Sequence, residues 1–189
     1  MTANDDKQTP GDFRRFVRQT IFAGLALVLV YNVTRPKGGP ETGQPAPTFA
    51  AETIEGKRFS IEEQEGRVVV LDFWATWCPP CRKTLPALQA MHERYKDDDG
   101  VMIASVSIDE GRNVGSFLRN FMKQKRYSFP VISDSYRNIS AVYDVKTVPT
   151  MVVIDPRGRV ANVQTGLVTP SVEGLIEHIE EAIKTAREL

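Results

Sequence analysis

Cysteine and histidine are scarce in this chain, and its positive and negative charges cancel. The 189 residues include two cysteines and two histidines, and 24 lysines and arginines balance 24 aspartates and glutamates. Two cysteines exclude the multi-disulfide framework of a small secreted scaffold and a four-thiolate zinc or iron–sulfur site. A chain without net charge has no long-range attraction to nucleic acid or acidic lipid, which argues against those partners.

Charge and hydropathy nevertheless change along the chain. Hydrophobic residues make up 41% and charged residues 25%, values typical of a folded globular protein. A length of 189 residues accommodates one domain with a short appendage. Residues 1–40 carry six basic and three acidic side chains, a surplus of three positive charges that the remaining residues cancel. The sequence therefore divides into a basic front end and a mildly acidic remainder.

The front end contains an uncharged stretch that we interpret as an uncleaved transmembrane anchor. This stretch, residues 19–34, lies between Arg18 and Arg35. As a helix it spans roughly 24 Å, less than the ~30 Å hydrocarbon core, so Arg18 would have to extend its side chain to the headgroups. A cleaved signal peptide or a buried helix are the alternatives, although small residues at the spacing of a cleavage site are missing after Tyr31.

The basic residues around this stretch predict the orientation of the chain. Four precede it and two follow it, so the positive-inside rule places residues 1–18 in the cytoplasm. The rest would then lie outside the cytoplasm, on the periplasmic side in a bacterium, where disulfides persist. Residues 35–46 are rich in proline and glycine and are predicted to form a tether. The folded domain is expected over residues 47–189.

From residue 47 onward the hydrophobic periodicity alternates between strand and helix. A small hairpin is predicted around Ile54-Glu55-Gly56, and buried strands are predicted over 67–75 and 101–108. A β-α-β-α order followed by β-β-α predicts an α/β fold whose mixed central sheet is covered by helices on both faces. The predicted helices are 80–96, 113–125, 136–143 and a C-terminal helix from about 170, and the last two predicted strands are 151–154 and 160–165.

The motif Trp77-Cys78-Pro79-Pro80-Cys81 stands where a buried strand meets a helix. Thiol–disulfide exchange requires a thiolate, and a helix N-terminus lowers the pKa of a thiol through its dipole and unpaired N–H groups. Two intervening residues let the second sulfur reach the first and release a bound client. The motif therefore predicts redox chemistry. A zinc half-site lacks further ligands, and an inert disulfide would gain little entropy from so short a loop.

The segment FWATWCPPCRK, residues 73–83, resembles the thioredoxin superfamily and in particular the membrane-anchored TlpA/ResA-like thiol-disulfide oxidoreductases. The similarity extends from about Pro45 to the C-terminus. It implies a thioredoxin-like fold with an N-terminal β-hairpin extension. It also implies that Cys78 is the exposed nucleophile and Cys81 the buried resolving thiol, with their redox-active disulfide in place of any cofactor and with no metal.

A second motif, Thr147-Val148-Pro149-Thr150, resembles the family's cis-proline loop. The resemblance implies that this loop faces the active-site disulfide and that Pro149 is cis. It further implies that the backbone of Val148 pairs with the substrate. Trp77 and Pro79, on either side of Cys78, are the other candidate substrate-binding residues.

Asp72 lies six residues before Cys78 in an otherwise apolar strand and matches the buried acid of thioredoxins. Burial of an isolated carboxylate is costly, so we expect a raised pKa and a role as proton acceptor for Cys81. The alternative is a carboxyl satisfied by hydrogen bonds at a strand end. Two positions depart from the family: Ser105 stands where thioredoxins place a lysine, and Thr84 where many relatives carry glutamate.

The expected function is that of a disulfide reductase. Strongly oxidising relatives stabilise their reduced thiolate, often with a histidine between the cysteines, and Pro79 and Pro80 supply no such group. The resemblance implies disulfide-bearing clients outside the cytoplasm, such as apocytochrome c haem-attachment thiols or copper-site cysteines. It also implies a membrane electron donor of the DsbD/CcdA type, and we expect a monomer.

Two other functions are alternatives. A peroxiredoxin-like thiol peroxidase would need Pro-x-x-x-Thr-x-x-Cys, whereas residues 73–77 before Cys78 read Phe-Trp-Ala-Thr-Trp. A non-catalytic copper-handling thioredoxin-like protein would want CxxxC and a nearby histidine. His92 and His178 fall within predicted helices and are interpreted as residues at helix interfaces rather than as ligands.

Overall fold

The computed structural model describes residues 20–22, 24 and 39–189. The chain divides into two compact units, residues 1–37 and 38–189. The predicted membrane helix 19–34 lies outside the described residues except for 20–22 and 24, which are helical. Within the described ranges, no helix combines the length and the apolar character needed to cross a membrane. The membrane anchor therefore stays a prediction.

Residues 39–189 form seven strands, four α-helices and one short 3-10 helix. The strands are β1 (Ala50–Glu52), β2 (Arg58–Ser60), β3 (Val68–Trp74), β4 (Val101–Ser107), β5 (Val131–Ser133), β6 (Thr150–Ile154) and β7 (Val160–Thr165). The helices are α1 (Cys81–Tyr95), α2 (Val114–Lys125), α3 (Asn138–Val142) and α4 (Val172–Glu188), and the 3-10 helix is Glu62–Gln64.

The central sheet is mixed, as predicted, with strand order β5-β4-β3-β6-β7. Strands β3, β4 and β5 are parallel, whereas β6 is antiparallel to β3 and to β7. Strands β1 and β2 form the predicted separate hairpin. Strand β5 was not predicted, because its three residues are too few to show a periodicity. It pairs with β4 from Ser105↔Val131 onward.

Strand β3 is buried on both faces and divides the core into two clusters. Val68 and Val70 belong to the cluster that includes the apolar faces of α1, α2 and α4. Val69 and Leu71 belong to the cluster that includes β2 and α3. Because side chains alternate along a strand, Asp72 points to the same face as Val70, toward α1 and α4.

Helices α1 and α4 pack together over this face of the sheet. At one end of their contact, Arg94 of α1 forms an ion pair with Glu180 of α4. Near the same end, Arg187 contacts Asp98 and lies over the ring of Tyr95 at 5.7 Å. These contacts hold α4 against α1.

The end of the predicted tether is attached to the domain. The Gly43 N–H donates to the carbonyl of Val160 at 2.7 Å, and the Ala46 N–H donates to that of Gly158 at 2.9 Å. Residues 43–46 therefore lie alongside the turn between β6 and β7, and the chain then enters the β1–β2 hairpin.

Candidate active site

The two cysteines lie where β3 ends and α1 begins. Cys81 is the first residue of α1, and Cys78 lies in the turn before it. The Cys78 N–H donates to the carbonyl of Ala75 at 3.2 Å, and the Cys78 carbonyl accepts the Arg82 N–H at 3.3 Å. The turn thus joins the strand to the helix and holds the first cysteine just ahead of the helix N-terminus.

Cys78 and Cys81 form a disulfide, with an S–S distance of 2.04 Å and a Cα–Cα distance of 5.3 Å. The Cys81 N–H donates to Sγ of Cys78 at 3.1 Å. This donor is one of the N–H groups that the helix itself leaves unpaired at its N-terminus. It points at the sulfur that would carry negative charge after reduction.

The loop at residues 147–150 faces this disulfide, as the family resemblance implied. The Val148–Pro149 peptide bond is cis. The carbonyl oxygen of Val148 lies 3.6 Å from Sγ of Cys78, although the two residues are 70 positions apart. Pro149 is buried and Val148 half-buried.

The expectation that Cys78 is exposed is wrong for this disulfide form. Only 3% of Cys78 is accessible, and Cys81 is fully buried. The reason is that the helix N-terminus covers Sγ of Cys78 on one side and the Val148 carbonyl lies close on another. Trp77, by contrast, is 63% exposed, and Pro79 is exposed as well. The accessible surface around the disulfide therefore consists mainly of the residues that flank Cys78.

A buried carboxylate that the sequence analysis missed anchors the turn. Asp109 accepts the Thr76 N–H at 3.0 Å and the Thr76 hydroxyl at 2.6 Å. It also accepts the Ser107 hydroxyl at 2.8 Å. In the sequence, the signal for this contact is limited to two polar residues, Ser107 at the end of β4 and Asp109 two positions later. Strand β4 is the neighbour of β3, the strand that precedes the cysteines.

Asp72 is buried inside β3, and burial raises its pKa from 3.8 to about 8. Its Oδ2 atom has no hydrogen-bond partner among the described residues. Ser105 is its register partner on β4, as the sequence analysis placed it. The Ser105 hydroxyl instead accepts the indole N–H of Trp74 at 3.1 Å. Asp72 thus has no ionic partner at position 105. Its Oδ2 atom also lacks the hydrogen bonds expected if the carboxyl were simply satisfied at a strand end.

A small cavity of about 30 Å³ lies beside Asp72. Its lining includes Thr84 of α1, Pro149 of the cis-proline loop, Gln164 of β7 and His178 of α4. Thr84, which stands where many relatives carry glutamate, donates its hydroxyl to the Cys81 carbonyl at 2.9 Å. The cavity therefore connects the acid with the first turn of the active-site helix.

The two histidines differ in their relation to the site. His92 is half-buried on α1, where burial lowers its pKa, and it does not line the cavity. His178 does line it. Within the described ranges, no group of three or more His, Cys, Asp or Glu side chains is placed to hold a metal ion.

Comparison with known proteins identifies the family. The AhpC/TSA family model matches residues 42–163. The thiol-disulfide oxidoreductase ResA of Bacillus subtilis is 35% identical over 163 residues, which cover 84% of this chain and 89% of that protein. The chain belongs to the AhpC/TSA family, among the ResA-type thiol-disulfide oxidoreductases. This confirms the resemblance stated from residues 73–83.

A further relative and two solved structures extend the comparison. The thioredoxin-like protein YneN of Bacillus subtilis is 29% identical over 78% of this chain and 90% of its own. A thiol:disulfide interchange protein of the thioredoxin family from Chlorobium tepidum superposes with a TM-score of 0.62 at 27% identity, covering 78% of this chain and 99% of that one. StoA from Bacillus subtilis gives 0.59 at 30% identity, covering 69% and 95%. The predicted thioredoxin-like fold is thereby confirmed for the described domain.

Proposed function

We propose that this ResA-type protein reduces disulfides of client proteins with the dithiol of Cys78 and Cys81. The observation that carries the proposal is the N–H of Cys81, at the start of α1, which is directed at Sγ of Cys78 at 3.1 Å. A donor in this position stabilises a thiolate, and the thiolate is the species that attacks disulfides. Cys78 is therefore the nucleophile and Cys81 the resolving thiol.

In the first step the reduced protein attacks its client. The Cys78 thiolate bonds to one client sulfur, the client S–S bond breaks, and the released client thiolate takes a proton from water. A mixed disulfide between Cys78 and the client results. The exposed Trp77 and Pro79 supply apolar surface beside the bond, and the nearby Val148 backbone is positioned to pair with the client chain.

In the second step Cys81 resolves the mixed disulfide. Its thiol transfers a proton to the Asp72 carboxylate, and the resulting thiolate attacks Sγ of Cys78. The Cys78–client bond breaks, and the second client sulfur leaves as a thiolate. The pKa of Asp72, about 8, is close to the ordinary value of a thiol, about 8.5, so this transfer is nearly balanced in free energy.

We propose that electrons flow from this protein to its client. Pro79 and Pro80 contribute no side-chain donor and no positive charge between the cysteines. The Cys78 thiolate of the reduced form therefore lacks the additional stabilisation that strongly oxidising relatives give to theirs. The expected potential is nearer to thioredoxin's, about −270 mV, than to DsbA's, about −120 mV. Equilibration with glutathione would measure it, and a value above about −160 mV would contradict this direction.

The proposed setting is the outer side of a membrane. The surplus of basic residues before the uncharged stretch 19–34 supports an anchor with the domain outside the cytoplasm. Such a reductase needs a membrane thiol donor of the DsbD/CcdA type. Clients with haem-attachment or copper-site cysteines are the proposed class, and the protein is proposed to act as a monomer.

Trapping tests the proposed function. In a Cys81→Ser variant the mixed disulfide cannot be resolved, so client adducts should accumulate and should disappear on treatment with a strong thiol reductant. Cys78→Ser is the matched control and should trap none. The reduced wild type should in parallel reduce insulin disulfides.

Two results would contradict the proposal. One is the absence of both adducts and insulin reduction. The other is consumption of peroxide, with a thiol donor, much faster than reduction of insulin. The second result would support the peroxidase alternative, and stoichiometric copper binding without turnover would support the copper-handling one.

A further inference from the structure

Part of the lining of the cavity beside Asp72 comes from one row of residues across the sheet and from one face of α4. Asp72 on β3 is in register with Met151 on β6, and Met151 is in register with Gln164 on β7. Residues in register on neighbouring strands point to the same face of the sheet. His178 of α4 lies over this row, so it faces the cavity from the helix side.

Two buried polar atoms of residues on this lining have no partner in the described part of the chain. They are Oδ2 of Asp72 and Nε2 of His178. Asp72 is almost completely buried, whereas His178 keeps part of its surface in solvent. Leu175 and Ile179, also on the lining, continue the apolar face of α4 on either side of His178. Burying the Nε2 atom of His178 costs free energy unless that atom has a hydrogen-bond partner.

The cavity has room for water. A volume of about 30 Å³ accommodates roughly two water molecules, and buried waters typically bond to otherwise unsatisfied polar groups. Asp72 and His178 are the two titratable side chains on its lining, and Thr84 and Gln164 are its uncharged polar ones. Water between Oδ2 and Nε2 would thus join an acid in the core to a base that reaches the surface.

The proposed resolving step creates a need for such a connection. With a pKa of about 8 the buried carboxyl is mostly protonated at neutral pH, so it must lose its proton before it can accept the one from Cys81. Asp72 is almost completely buried, so its proton has to pass through the cavity to reach solvent. Histidine is suited to relay it, because one ring nitrogen can accept a proton while the other releases one near neutral pH.

We propose that His178 completes a water-mediated proton path from Asp72 to solvent. The proton leaves the Asp72 carboxyl for a cavity water, that water protonates Nε2 of His178, and the ring releases a proton to bulk water. No electrons move in this step, and one proton leaves for each client disulfide reduced. The proposal rests on the proposed function. His178 acts through Asp72 and touches no reacting atom, so it is a positioning residue.

A kinetic experiment compares His178→Gln with His92→Gln, which alters the other histidine outside the cavity. Resolution of a preformed mixed disulfide is followed by rapid mixing across about pH 6 to 9. His178→Gln should slow resolution roughly tenfold near neutral pH and remove one inflection from the pH profile, whereas His92→Gln should match wild type. In an Asp72→Asn background, His178→Gln should have no further effect. An unchanged profile, or an equal loss in both backgrounds, would overturn the path.

A second measurement needs no turnover and separates this proposal from the proposed function. The two histidine rings are titrated by NMR in the oxidised full-length protein. The His178 curve should show a second inflection near pH 8, where Asp72 ionises, and Asp72→Asn should remove that inflection; the His92 curve should be the same in both proteins. If His178 does not respond while insulin reduction is normal, the path is wrong and the proposed function stands. If His178 responds but no disulfide is reduced, the connection exists and the proposed function fails.

Discussion

Asp72 and Asp109 are buried to the same extent, with 4% of each residue exposed, yet their surroundings differ. Asp109 accepts hydrogen bonds from Thr76 and Ser107, so its oxygens are occupied in holding the turn before Cys78. Asp72 has an oxygen without a partner in the described ranges and borders a cavity. Hydrogen bonds compensate the burial of a carboxylate, and their lack leaves desolvation to dominate. Asp109 therefore has a structural role, and Asp72 has an oxygen that is available for proton transfer.

The raised pKa of Asp72 predicts how stability depends on pH. The unfolded carboxyl loses its proton near pH 3.8, whereas the folded one keeps it until about pH 8, so the free energy of unfolding falls between these values. At about 1.4 kcal/mol per pH unit, the loss amounts to several kcal/mol. Asp72→Asn should remove this slope.

Urea unfolding of wild type and Asp72→Asn at several pH values measures the effect. The two proteins should differ little near pH 4, which serves as the internal control, and the variant should be the more stable one near pH 8. A difference that does not change with pH would show that the carboxyl is not held neutral by burial.

For Asp109 we predict that the same substitution destabilises the protein. Asp109→Asn turns an acceptor into a donor that faces Thr76 or Ser107, which should lower the free energy of unfolding by about 2 kcal/mol. Thr76→Val, which removes only the hydroxyl bond to Asp109, should cost about half as much. Chemical denaturation measures both, and equal stability of Asp109→Asn and wild type would argue against an anchoring role.

Among the secondary-structure elements, α4 has the clearest start signal. Ser171 is its N-cap, and the Ser171 hydroxyl accepts the Gly174 N–H at 3.1 Å. Ser171→Ala should lower the free energy of unfolding by about 1 kcal/mol, because this N–H loses its partner. Ser171→Thr keeps a hydroxyl and should recover most of the loss. Thermal unfolding distinguishes the two variants, and identical losses would mean that the cap bond contributes nothing.

The elements also show how far local patterns reach. Strand β3 and helix α1 were predicted to within one or two residues, because each has a long run with a clear hydrophobic period. Strand β5 was missed, because three residues carry no period and the strand exists through its pairing with β4. A short strand of this kind is decided by its neighbour in space.

At the scale of the whole molecule, the unit 38–189 contains the complete sheet and both clusters of the core. A fragment of residues 39–189 should therefore unfold in one cooperative transition and reduce insulin like the full chain. If residues 19–34 are an anchor, the full chain should sediment with membranes and the fragment should not. Fractionation of cells that express each form tests this, and a full-length chain in the soluble fraction would contradict the anchor.

The sequence by itself determined the chemistry and the local elements that carry it. The two cysteines, the strand before them and the helix after them follow from neighbouring residues, and so does the cost of placing Asp72 among apolar side chains. Only the tertiary structure decided what surrounds them. It brings Val148 to the disulfide across 70 positions, ties Asp109 to Thr76 across 33, covers Cys78 and places His178 beside the cavity. These contacts depend on how the sheet and helices pack, and packing involves residues far apart in the chain, which no local period records.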